Sequence, residues 1–272
     1  LVSLSDKTDN ENLLLKNAAS FYSFQKGVSK QKNPSSLMGS IALIRQTFLD
    51  AEWYETQVNQ TNLSYDAFIN QKELPHIFKL NNELDYSRVY KIADEFEIDF
   101  IPKGNGKEYL KIDEIASTEL PVIIPLNFPI SYDISNPETA DWISLEKLKH
   151  WELAPYNPLI LAQNNIEFCI TSADLKSPKK FLKNLKIAVK KGLSETDALA
   201  ALTTIPATLI HAEDKLGALE KGMLANFIIC SDNIFTTGEI YENWTLGEQH
   251  YINKKQIIDI RGYYTFNSDE FE

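Results

Sequence analysis

Apolar positions along this chain change their period several times, and each change marks an element. Over residues 35 to about 57, Leu37, Ile41, Ile44, Phe48 and Ala51 recur at helical spacing, which predicts an amphipathic helix. Asn33-Pro34-Ser35-Ser36 precedes it and reads as a helix start, a cap with proline in the first turn. From residue 74 short apolar runs alternate with helical stretches. LPHIFKL (74–80), DFIP (99–102), PVIIPL (121–126) and EFCIT (167–171) predict strands. Between them LDYSRVYKIADEF (84–96) lines up Leu84, Val89, Ile92, Ala93 and Phe96 on one helical face, and KEYLKIDEIAST and LKSPKKFLKNLKIAVKKGLSETDALAALTTIPATLI read as helical. Continuously apolar strands separated by helices are the mark of βα units around a parallel sheet.

The two ends read differently. Val2-Ser3-Leu4-Ser5, Leu13-Leu14-Leu15 and Phe21-Tyr22-Ser23-Phe24 predict short strands, and NFIICSD, GEIYENWTLG and HYINKKQIIDI predict strands after residue 225. A closed (β/α)8 barrel needs eight strands, so four βα units form either an open sheet or part of a barrel. Four strands leave two unpaired edges. The expectation is that N-terminal strands cover them or that the chain self-associates as a homo-oligomer.

Composition narrows the class. The formal charge of −11 disfavours a surface built for phosphate backbones, so no nucleic-acid partner is expected. No window approaches ~18 uninterrupted apolar residues, so no membrane span is expected. Cys169 and Cys230 both fall in apolar strand-like runs and read as buried free thiols. Asn59-Gln60-Thr61, Asn62-Leu63-Ser64 and Asn243-Trp244-Thr245 fit the glycosylation triplet, a pattern common by chance.

LSETDALAALTTIPATLI, EDKLGALEKGMLANFIICSDNIF and NWTLGEQHYINKKQI resemble the closing segment of amidohydrolase-superfamily enzymes, particularly the imidazolonepropionase-like group. In that family an Ala-Leu…Thr…Pro-Ala run in the last barrel helices leads through a Leu-Gly-x-Leu-x-x-Gly turn into a small β-domain. KNPSSLMGSIALIRQTFLDAEWY, with SFYSFQKG before it, is similar to part of the large exported amidohydrolase-like proteins of some bacteria. Residues 74–192 match only in their strand–helix rhythm. The resemblance implies an α/β fold: about the second half of a TIM-type (β/α) barrel, with a small β-domain formed by the chain ends. Residues 1–33 are then short strands of a β-region or the barrel edge, 34–225 the partial barrel, and 226–272 a segment of the β-domain. The rest of a longer parent chain becomes a partner, and the compartment exported or periplasmic.

The same resemblance implies a hydrolase of carbon–nitrogen bonds with zinc or another divalent metal at the carboxyl ends of the barrel strands. Such a site uses an HxH pair on the first strand, histidines ending the fifth and sixth, and an aspartate ending the eighth. The ion makes a nucleophile of bound water near neutral pH. The four histidines here, His76, His150, His211 and His250, are at neither strand nor helix-turn spacing. The fifth strand is expected to end in Phe78-Lys79-Leu80-Asn81-Asn82 and the sixth in Ile101-Pro102-Lys103-Gly104, and a protonated lysine repels a dication. No metal ligand or cofactor is therefore assigned in this segment.

Asp174, after the fourth strand of the rhythm, reads either as the surviving catalytic aspartate or as a cap of the Lys176–Lys191 helix. Lys79, Asn81, Lys103, Asn105, Asn127 and His150 are the candidate binding residues, for a small-molecule or peptide ligand. His76 reads as structural, His211 as a helix-end charge and His250 as exposed. Lys103-Gly104-Asn105-Gly106-Lys107 reads as a tight turn, or as a set of amides able to hold a carboxylate or phosphate. Two functions stand: an amidohydrolase completed by sequence elsewhere, or an inactive barrel that binds a ligand or scaffolds a longer chain.

Overall fold

The structure is a computed structural model that describes residues 1–5, 8–57 and 61–253. A single helical turn, α1 (Asp9–Asn12), precedes strand β1 (Ser20–Ser23). Then follow α2 (Leu37–Glu55), α3 (Leu63–Ile69), β2 (His76–Lys79), α4 (Asp85–Phe96), β3 (Phe100–Lys103), α5 (Ile112–Ala116) and β4 (Val122–Pro125). Helices α6 (Pro137–Asp141), α7 (Leu145–Leu153) and α8 (Asn157–Gln163) lead to β5 (Phe168–Thr171). The chain closes with α9 (Phe181–Lys190), α10 (Glu195–Leu202), α11 (Thr204–Leu209) and strands β6 (Phe227–Cys230), β7 (Ile240–Thr245) and β8 (Glu248–Tyr251).

Strands β1 to β5 form one sheet in sequence order, and every neighbouring pair is parallel. This is a five-stranded part of a barrel wall, with β6–β7–β8 as a separate antiparallel sheet. The fifth parallel strand is β1, which lies along β2 from Ser20 beside His76 to Ser23 beside Lys79. It covers one edge that four strands alone leave open.

Side chains alternate across each strand, and the two faces differ sharply. On the helix-covered face Phe78, Phe100, Val122 and Ile124 are fully buried. An aromatic cluster welds the helices to this face. Phe78 and Phe100 meet edge-on at 5.3 Å, Tyr22 lies 5.3 Å from Phe100, and Phe48 of α2 stacks on Phe96 of α4 at 5.0 Å. The opposite, inner face carries Phe21, Ile77, Lys79, Ile101, Lys103, Ile123 and Cys169. Phe21 is 74% exposed there.

The small sheet is anchored in the barrel. Phe235, in the β6–β7 connection, is buried within the barrel core with Ile234 beside it. Lys186 Nζ of α9 donates to the Gly238 carbonyl at 3.0 Å, and Asn233 Nδ2 donates to Glu195 Oε2 at 2.7 Å. The crossover uses Gly217 at φ +97, where a Cβ would stand 2.9 Å from Ala207 Cβ and 3.0 Å from the Thr203 carbonyl. No other residue fits that conformation and that gap.

Several expectations change. The α2 cap is Ser36, whose side chain accepts from Gly39 N, so Pro34 lies ahead of the helix and not in its first turn. Among the described residues of 1–15 there is no extended strand, but an isolated antiparallel bridge between Val2 and Leu13, with a helical turn at Asp9–Asn12 between them. KEYLKIDEIAST is a 3-10 turn at Glu108–Leu110 followed by the short α5. His250 is half-buried in β8, with Nε2 shielded from solvent. Asn62 caps α3, accepting from Ser64 N and Tyr65 N. Cys169 is buried, Cys230 half-buried, and both are free. Asn59 and Gln60 of the first glycosylation triplet, and the strand expected beyond Asn253, lie outside the described residues. Among those described, no helix is long and apolar enough to cross a membrane.

Phe100, at the centre of the aromatic cluster, tests this packing. Phe100→Ala is expected to cost about 3–5 kcal/mol of unfolding free energy, read as a lower urea midpoint at unchanged slope. A midpoint equal to that of the parent protein would refute the cluster's central role.

Candidate functional site

Parallel pairing sets the site's geometry. Ser23 pairs with Lys79, Lys79 with Lys103, Lys103 with Ile123, and Ile123 with Cys169. These residues form one layer across the inner face, with Lys79 and Lys103 side by side at the carboxyl ends of β2 and β3. Parallel strands lie ~4.8 Å apart, and registered neighbours point to the same side. Like charges so placed repel. Asp174 offsets one of them: its carboxylate forms an ion pair with Lys103 Nζ. Lys103 is 13% exposed and Asp174 39%.

Asp174 is therefore neither cap nor isolated surface charge. The turn ahead of α9 begins at Ser177, with no side-chain cap. Asp174 lies beyond β5 with φ +66, a region that aspartate tolerates better than most residues. Its carboxylate reaches back over β4 to the end of β3.

Three asparagines tie the strand ends above this layer. Asn105 Nδ2 donates to the Asn81 carbonyl at 3.4 Å, and Asn127 Nδ2 to the Asn105 carbonyl at 3.1 Å. Asn81 also borders a cleft of ≈ 510 Å³ with Phe24, Lys26, Ser36 and Asp85. Lys79, Asn81, Lys103, Asn105, Asn127 and Asp174 thus gather at one end of the sheet.

His150 stands apart from them, in α7. Its Nδ1 lies 2.9 Å from Tyr109 Oη. Burial, then the nearby Lys107 charge, pushes its pKa below the usual value of 6.5. Burial first raises the Tyr109 pKa, so the phenol keeps its proton beside the imidazole. His76 is structural, its ring nitrogens meeting Tyr22 Oη at 3.2 Å and the Lys72 carbonyl at 3.0 Å.

Glu108 was missed in the sequence and dominates the loop after β3. It is fully buried. Its Oε1 accepts from Asn105 N at 2.8 Å and Gly106 N at 3.0 Å, and its Oε2 from Asn157 Nδ2 at 2.5 Å. Tyr86 Oη completes the set at 3.4 Å. The loop amides do hold a carboxylate, and it is the chain's own. Burial raises the Glu108 pKa, while the surrounding donors pull it down. A Cβ on Gly104 would stand 2.0 Å from Glu108 Oε1, and one on Gly106 2.3 Å from Asn127 Oδ1. Both glycines are required by close approach, and Gly106 also by φ +91. The available signal was a Gly-x-Gly turn followed two residues later by a glutamate.

The donor set does not fit the divalent metal that the resemblance implies. The residues ending β2 and β3 are lysines, one of them engaged with the aspartate. Among the described residues no group of three His, Cys, Asp or Glu side chains is placed to hold an ion.

Two outcomes follow from the loop and from α7. Glu108→Gln presents an amide nitrogen to the Asn157 donor and is expected to cost about 1–3 kcal/mol. Glu108→Ala strands more donors and should cost more, by urea unfolding; a parental midpoint for both variants would rule out this role. For His150, the unfolded chain takes up its proton first as pH falls through 6.5, because the folded pKa is lower. Its share of stability is therefore present above pH 6.5 and is lost on acidification. His150→Gln should flatten the pH dependence of the urea midpoint on titration from about pH 7.5 to about 5.5; an unchanged slope would contradict the assignment.

The sequence matches no protein-family model, and no curated protein is similar to it. Solved structures are similar in fold. An amidohydrolase from Thermotoga maritima aligns with a TM-score of 0.69 at 19% identity, over 90% of this chain and 65% of that one. A second amidohydrolase aligns at 0.52 with 12% identity, over 87% of this chain and 68% of the other. A prolidase solved with N-methylphosphonate-L-proline aligns at 0.51 with 11% identity, over 87% and 69%. The chain spans less than two thirds of the Thermotoga protein's length. It shares the fold of amidohydrolase structures, as an open five-stranded part of the barrel with a small antiparallel sheet attached.

Proposed function

We propose that this chain is an amidohydrolase-like module whose inner face binds a small-molecule or peptide ligand and does not by itself hydrolyse carbon–nitrogen bonds. One observation carries this reading: the ion pair between Lys103 and Asp174 at the strand ends. The lysine stands where the resemblance calls for a metal-binding histidine, and the aspartate that would serve the ion is spent on the lysine. A cation brought there meets a positive charge and must break the pair. The segment is read as part of a longer exported bacterial protein of the imidazolonepropionase-like group, to which it adds a binding or scaffolding surface. The likeness of residues 20–27 and 32–54 to such proteins supports this.

Asp174 also favours a second reading. Its position beyond β5 lets it serve a hydrolytic site whose remaining ligands come from outside these residues.

Metal content separates the two. After loading with zinc or manganese and desalting, mass spectrometry is expected to find far less than one ion per chain, in this segment and in any longer protein that contains it. Near-stoichiometric metal in the longer protein, with hydrolysis of an amide substrate, would replace the first reading with the second.

A further inference from the structure

The layer Ser23–Lys79–Lys103–Ile123–Cys169 holds two cations and receives one carboxylate. Lys103 is paired with Asp174. Lys79, its registered neighbour, has no ion-pair partner among the described residues. One positive charge therefore stays uncompensated beside another lysine, on the face that the helices leave uncovered. Ile77 and Ile101 lie one layer below and are buried, as is Cys169 at the far end. Lys79 is exposed and open to an incoming anion, while the apolar floor weakens screening around the less exposed Lys103. The Cys169 thiol is pushed up to about 12 by burial, so it adds no negative charge at neutral pH.

We propose that Lys79 and Lys103 form a receptor for a small oxyanion, the carboxylate end of a small molecule or peptide, with Asp174 as the internal competitor for Lys103. This rests on the ligand-binding reading above and names the chemical class of its ligand. The Lys103–Asp174 pair is its precedent within the fold, a carboxylate already held in this layer by a lysine. An external carboxylate that bridges both ammonium groups relieves their mutual repulsion, which Asp174 does for only one. Asp174 is then released toward solvent, to which it is already partly exposed. Asn81 stands one register step above Lys79 at the rim. A phosphate shares the charge and the acceptor oxygens, so both oxyanions are compared.

The test is a titration of the 272-residue chain by NMR of its lysine side chains, with acetate, inorganic phosphate, N-acetylglycine and its neutral counterpart N-acetylglycinamide. N-acetylglycine should bind and perturb Lys79 and Lys103, and the neutral amide should not. Lys79→Gln and Lys103→Gln should each weaken binding about tenfold. Asp174→Asn keeps a residue suited to positive φ, removes the competitor, and should tighten binding about tenfold. Lys190→Gln, on the distant α9, should leave affinity unchanged. Tighter binding of phosphate than of either carboxylate, with the same variant pattern, keeps the oxyanion receptor and replaces the carboxylate with a phosphoryl group.

Absence of binding by all three anions overturns the proposal. So does unchanged affinity in Asp174→Asn, or an equal loss in Lys190→Gln, which would mark general charge attraction. Equal binding of the neutral amide at the same lysines rejects the oxyanion and leaves the ligand-binding reading in place. Stoichiometric metal held through Asp174 would instead overturn that reading itself.

Discussion

In-register parallel pairing of five strands is the constraint on which the rest of this structure depends. With a side-chain period of two, register decides which face every residue occupies. Pairing His76 with Phe100, and so Phe78 with Pro102 and Lys79 with Lys103, sends the aromatic residues of β2 and β3 to the helices and both lysines to the inner face. A slip of one residue between β2 and β3 would turn one of the two lysines to the helix-covered face and bury its ammonium group among aromatic rings. The cost of burying unpaired charge excludes that alternative. The apolar and charged positions therefore specify the same register independently, and the layer of lysines at the strand ends is a by-product of the core.

Above that layer, polar contacts do what apolar packing does below. Glu108 joins the β3 loop to Tyr86 in α4 and to Asn157 in α8. The asparagine bridges then join the ends of β2, β3 and β4. A buried carboxylate is tolerable here because neighbouring donors satisfy its oxygens. The same donors fill the loop, so its amides have no capacity left for an outside anion. One layer down, Lys103 is taken by Asp174, and Lys79 has no ion-pair partner among the described residues.

How much of this could be read from the sequence differs by feature, for physical reasons. Strands β2 to β5 were legible because each is an apolar run bounded by polar or proline residues, and α2 and α4 because their apolar faces recur at helical spacing. β1 was legible as a strand, but nothing in Ser-Phe-Tyr-Ser says which sheet it joins; contact with β2 decides it. Lys79, Lys103 and Asp174 were legible as a group because strand ends fix their position. Their ion pair was not, since it depends on the chain turning back after β5. Glu108 was hidden because a glutamate in a polar loop has the sequence of a surface residue. Its burial is caused by amides directed inward from residues immediately before it. His150 falls between these cases, with its aromatic neighbour Trp151 visible and its partner Tyr109 supplied by a different element.

Phe235 gives the boundary near residue 226 a particular meaning. By topology the chain passes there from one sheet to another. In energetic terms it does not, because the ring that plugs the barrel's core is delivered by the connection between the first two strands of the small sheet. Removal of the final strands would open a cavity in the larger part, and loosening of the larger part would strip the smaller one of its attachment. The two sheets thus share one cooperative fate, and a protein engineer seeking the smallest autonomous unit should not cut at the seam that the topology suggests.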